Sequence, residues 1–189
     1  MAHPDDSLVE SQSIQKLVNH FFQHLSDPEY VHVLLNPIPV YGLAIGVLSL
    51  VVGFFFRVRS ALVPGLLAIA LSSLMAWPVY EYGEQGYDRV YSMVNTEGDA
   101  WLNTHMHRAE KLIYVFYALA ALATAAALLP IKWPRLATSL ALATLILSLA
   151  TLGAGGWIAY AGGKVRHPEF RSANEPPPEG PQREEDDKH

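Results

Sequence analysis

Eight histidines, at positions 3, 20, 24, 32, 105, 107, 167 and 189, are the residues of this chain best equipped for chemistry. An imidazole can ligate a divalent metal, carry a proton or hold a haem axially. His32 stands just before one long apolar stretch, His105 and His107 before another, and His167 just after a third. Carboxylates gather in the same places, with Glu81, Glu84 and Asp88, then Glu110, then Glu169. If the apolar stretches cross a bilayer, all of these groups ring one end of the assembly. His105 and His107, two apart on a helix, point about 200° away from each other and cannot chelate one ion together. Trp101, His105, Arg108 and Leu112 share one helical face instead. The expected ligands are therefore His32, His105 and His167, with Glu84 and Glu110 orienting them and Trp101 in support. Haem b and a divalent metal both stay open. The competing reading has these groups as interfacial side chains that hydrogen-bond one another and the lipid headgroups. His20 and His24, four apart on one helix, read as a solvated helix edge.

Composition removes several function classes. The chain of 189 residues contains no cysteine, so disulfides, thiolate metal sites and a cysteine nucleophile are excluded. The formal net charge is −5 and the thirteen Lys and Arg form no stripe, which argues against a nucleic-acid partner. No Gly-rich phosphate loop, His-Glu-x-x-His or nucleophile elbow occurs, so an enzyme is not expected. The apolar spans hold no Asp, Glu, Lys, Arg or His, which disfavours transport and leaves no imidazole for a haem at mid-bilayer depth. The opening MAHPDDSLVE does not read as a cleavable signal peptide.

The elements that must position these groups follow from hydropathy. Hydrophobic residues make up 51% of the chain and charged residues 16%, and the two are segregated. Uncharged runs predict spans over about 38–56, 61–80, 112–129 and 137–161. Asn36 is expected to cap the first, Ser60 the second, and Pro130 to stop the third. Gly162-Gly163 is expected to end the fourth. Only the turn around Arg57-Val58-Arg59 joins the first two spans, and Ile131 to Arg135 joins the last two. Ile14, Leu17, Val18, Phe21, Phe22 and Leu25 lie on one stripe, predicting an amphipathic interfacial helix that ends at Asp27-Pro28. Between the second and third spans, Tyr87, Val90, Tyr91 and Val94 mark one side of a short helix. Asp99 is expected to cap a helix that runs from Ala100 into the third span. The class is thus all-α: an integral membrane four-helix bundle over 31–165, preceded by a polar and amphipathic 1–30. The charged, Pro-rich 166–189 reads as disordered.

The short turns carry Arg57, Arg59, Lys132 and Arg135 without an acid, which places them in the cytoplasm and sets both termini and the long loop on the outer, periplasmic side. The expected protein is a non-catalytic, multi-pass membrane subunit whose partners are the lipid bilayer and a membrane complex or a second copy of itself. The alternative is a structural docking subunit with no cofactor.

Two segments add to this. HVLLNPIP, with His32 and Pro39, and GGWIAYAGG, from Gly155 through Tyr160 to Gly163, resemble a family of uncharacterised bacterial four-helix membrane domains, some of them fused to a Rieske iron-sulfur domain. A His before the third span, matched by His105, is similar too. The resemblance spans His32 to Val165 and implies a small bacterial inner-membrane bundle associated with redox chemistry, with a haem at its outer face.

Overall fold

Runs without charge leave the backbone to satisfy its own hydrogen bonds, and here each run does so as helix. The computed structural model describes residues 4–56 and 59–172, with side chains over 11–56 and 61–172. In chain order the helices are α1 (Pro4–His24), α2 (Pro28–Leu35), α3 (Pro37–Phe55), α4 (Arg59–Leu74), α5 (Ala76–Gln85), α6 (Tyr87–Tyr91), α7 (Thr96–Lys132) and α8 (Ala137–Arg166). Two single 3-10 turns, Pro134–Leu136 and Pro168–Phe170, complete the order, and no strand occurs among the described residues. Ser60 does not cap the second span, since its backbone is already helical within α4; the Arg57-Val58 turn and the tail beyond Ser172 lie outside what is described.

Four helical rods are long and apolar enough to cross a membrane: Pro28–Phe55, Ala61–Gln85, Thr96–Lys132 and Pro134–Arg166. Of the most apolar window in each, only 22–33% is buried within the protein. Large side chains such as Ile45, Leu48, Phe55, Leu71, Ile146 and Leu149 face outward, an arrangement suited to a lipid solvent and costly in water.

Prolines shape two of the rods. Pro37 and Pro39 lack the N–H groups that would bond back to Val33 and Leu35, so the first rod breaks between α2 and α3 without ending. Asn36 therefore does not cap a new helix. Its backbone is helical, its N–H bonds His32 at 2.8 Å, and its side chain makes no capping bond. Pro78 likewise cannot bond Leu74, and the second rod bends at Met75 before continuing through α5.

Three boundaries differ from the sequence expectation. The helix expected to start at Asp99 starts at Thr96, because the Asn95 side chain accepts the Gly98 N–H at 2.8 Å and caps it earlier. Pro130 does not stop α7, since a proline in the last turn forfeits one bond while Trp133 still donates to Leu129 at 2.9 Å. Gly162-Gly163 does not end α8, which runs to Arg166. Arg171 supplies the reason: its guanidinium donates to the carbonyls of Lys164 and Val165, both at 2.9 Å, satisfying the last turn.

The interior forms where α3, α4 and α7 meet, with Leu43, Leu50, Leu66, Ile69, Leu119 and Ala123 buried. From α8, Thr144, Ser148 and Thr151 face inward and are fully buried, each hydroxyl bonding the carbonyl four residues back at 2.7–2.8 Å. α3 packs on α4 and α8, and α7 on α4 and α8. The α3–α4 contact is close enough that a Cβ at Gly46 would lie 3.0 Å from the Gly65 carbonyl oxygen and 3.1 Å from the Ile69 nitrogen. Gly46→Leu is expected to lower the thermal unfolding midpoint in detergent, by a destabilisation of about 1–3 kcal/mol. Gly153→Ala, whose Cβ meets nothing within 4 Å, should leave the midpoint unchanged or raised.

Candidate functional site: two imidazoles on one apolar cavity

On a helix the Cα–Cβ bond tilts toward the N-terminus, so the residue at i+4 overhangs the carbonyl of residue i. A side chain from a neighbouring helix reaches that carbonyl most easily where the overhanging residue is glycine. This arrangement occurs twice. His32, on α2, places Nδ1 at 2.7 Å from the Val79 carbonyl oxygen of α5, and Gly83 stands four residues on. A Cβ at Gly83 would come within 2.9 Å of that same Nδ1. His105, on α7, places Nδ1 at 3.0 Å from the Ile158 carbonyl oxygen of α8, and Gly162 stands four residues on. A Cβ there would meet the ring at 3.0 Å.

A carbonyl oxygen only accepts, so Nδ1 must carry the proton in both rings. The lone pair of each imidazole is then on Nε2. The rings approach with centroids 6.2 Å apart and planes at 86°, and both line one cavity of about 280 Å³. Its wall is mostly apolar and small, including Pro39, Val40, Ala76, Ala109, Ile113, Phe116, Gly155 and Ala159. It reaches the outer surface at the exposed Pro37 and Tyr41.

The cavity joins two corresponding halves. His32, Asn36 and Val40 line it at the spacing of His105, Ala109 and Ile113; Ala76, Val79 and Tyr80 line it at the spacing of Gly155, Ile158 and Ala159. Exchanging the first pair of rods with the second turns the α3–α8 contact into the α7–α4 contact, and both exist.

The remaining expected residues lie apart from the imidazoles. His167 is exposed, bonds Glu169 at 2.9 Å within its own 3-10 turn and stacks on Phe170 at 4.9 Å. That bond holds the Glu169 carboxyl below its usual value. Glu84 and Glu110 are exposed and place their charge beside Tyr80; the orienting partners of His32 and His105 are backbone carbonyls instead. Trp101 is buried beneath Lys164, whose Nζ lies 4.5 Å from its ring centre. His20 and His24 meet at 3.1 Å on the exposed face of α1. Among the described residues, no three His, Cys, Asp or Glu are disposed to hold a metal ion.

No family model, no curated protein and no solved structure matches this chain.

Two buried cations lie just outside the predicted spans. Arg108, one turn beyond His105, is buried, lays its guanidinium 3.7 Å from the Trp157 ring centre and donates to the Trp157 carbonyl at 2.9 Å. Lys164 is also buried, donating to the Tyr160 hydroxyl at 2.6 Å with Nζ 3.9 Å from that ring's centre. Both sit against α8 aromatics, Trp157 and Tyr160, which stack in parallel at 6.0 Å. Nothing in the residue types marks these contacts, because an aromatic ring or a backbone carbonyl beside a cation carries no charge of its own. A planar guanidinium stacks and donates sideways at once, which an ammonium cannot. Arg108→Lys should therefore destabilise the detergent-solubilised protein by about 1–3 kcal/mol, measured by thermal unfolding. An unchanged midpoint would show that the stack contributes nothing.

Proposed function

We propose that this is a non-catalytic integral membrane protein, a four-helix bundle that holds a metal-bearing cofactor between His32 and His105 near the termini-side face. One observation supports it above all: both imidazoles donate Nδ1–H to backbone carbonyls, so both Nε2 lone pairs belong to rings lining a single apolar cavity. A hydrogen bond at the second nitrogen is the usual support of a metal-ligating histidine, fixing the tautomer and raising its basicity. Haem b and a divalent metal are the two cofactor classes that two imidazoles serve. When bound, such a group supplies redox or Lewis-acid chemistry; the chain contributes binding, orientation and exclusion of water.

In this reading α1 lies in the headgroup plane, where the apolar side chains it exposes, Ile14, Leu17, Val18, Phe21 and Phe22, enter lipid. The basic short turns point to the cytoplasm and put the imidazole pair toward the periplasmic side. The resemblance to small bacterial membrane domains tied to Rieske proteins is in keeping with a redox setting. The same exposed stripe on α1 favours the second reading, a docking subunit of a larger membrane complex.

The test is metal content and visible absorption of the detergent-purified full chain. Stoichiometric metal or a Soret band is expected in the native protein and in His167→Ala, and should be lost when His32→Ala and His105→Ala are combined. A colourless, metal-free native protein that also takes up neither added hemin nor zinc would overturn the cofactor role and leave the docking role standing.

A further inference from the structure

Resting on that cofactor reading, we infer that the ligand is a metal-centred tetrapyrrole held in trans by one imidazole from each half of the chain, His32 from the first and His105 from the second. Two imidazoles bound through Nε2 on opposite sides of one metal, at about 2 Å each, have ring centres about 6 Å apart. At a tetrahedral angle the same bonds bring the centres to about 5 Å. The separation here is 6.2 Å. A trans pair suits a metal whose other positions are filled in the plane between the rings. Protein side chains do not fill them, since no third His, Cys, Asp or Glu joins the pair among the described residues. A tetrapyrrole brings four in-plane nitrogens of its own.

The correspondence of the halves carries the inference further. Each imidazole is tied to the second rod of its own half, at Val79 and at Ile158, and each is seated against a glycine four residues on, Gly83 and Gly162. Both donors are thus anchored in the same way, so neither is set up as a displaceable ligand. The consequence is a saturated centre with no open position for a substrate or dioxygen. Such a centre fits one-electron transfer and not activation of a bound molecule.

The experiment titrates purified full-length protein in nanodiscs with hemin and follows absorption, electron paramagnetic resonance and carbon monoxide binding after dithionite reduction. A one-to-one, low-spin complex that ignores carbon monoxide is expected. His32→Gly and His105→Gly should each turn it high-spin and carbon monoxide-reactive, and added imidazole should restore the low-spin signal, which shows that the variants are folded. The double variant should lose hemin binding at least tenfold. A native complex that is high-spin or binds carbon monoxide overturns the trans arrangement while leaving a metal cofactor intact. Stoichiometric metal without hemin uptake does the same. Hemin uptake unchanged in the double variant, an adventitious additive only, overturns the assignment; absence of both metal and hemin overturns this inference together with the reading it rests on.

Discussion

The bonds from His32 and His105 to the carbonyls of Val79 and Ile158 are the interactions on which the site depends. In an apolar surrounding an imidazole N–H without a partner is costly, so each ring is driven to find an acceptor. Helix carbonyls are already engaged in the helix and are covered by the side chain four residues on. Gly83 and Gly162 remove that cover. The bond then ties α2 to α5 and α7 to α8, and in doing so it fixes the tautomer, turns each ring and leaves Nε2 for the cavity.

The cavity itself follows from proline and small residues. The break at Pro37 and Pro39 and the interruption of the second rod at Met75, ahead of Pro78, fall at the level of the cavity. Ala76, Ala109, Gly155 and Ala159 then leave the space unfilled. Deeper in the protein Leu43, Leu50, Ile69 and Leu119 close the interior. On the polar side the end is sealed by α6, whose Tyr87 hydroxyl donates to Asn103 at 2.6 Å and whose Arg89 bridges to Glu29 at 2.7 Å. The imidazole pair thus lies between a filled apolar core and a polar cap.

Much of this was legible from residue types, and the rest was not for identifiable reasons. The four apolar rods follow from uncharged run length, and the projection of α7 beyond the apolar stretch follows from the lack of a breaker after Gly98. His32 and His105 stand out because they precede spans that run in the same direction. His167 follows the fourth span and so shares the polar end with them in sequence, but α8 continues to Arg166 and carries His167 past the site. Glu84 and Glu110 are the partners that residue types suggest, because carboxylates are the recognisable partners of histidine. Backbone carbonyls have no letter in a sequence, and the glycines that uncover them look like any packing glycine. The only signal that could have found them is the repeated spacing of Val79 to Gly83 and Ile158 to Gly162, whose meaning depends on knowing which histidine faces which helix.

The two halves agree in what holds the rings and differ in what flanks them. Asn36 in the first half answers to Ala109 in the second, and Tyr80 answers to Ala159. Asn36 and Tyr80 therefore line the cavity from the α2 and α5 side, and surface that is apolar apart from His105 lines it from α7 and α8. A ligand held as proposed between the two halves would meet a polar flank and an apolar one. The two donors would fix its position on the axis between the halves, and the unequal flanks would select one of the two orientations that the donors alone leave degenerate.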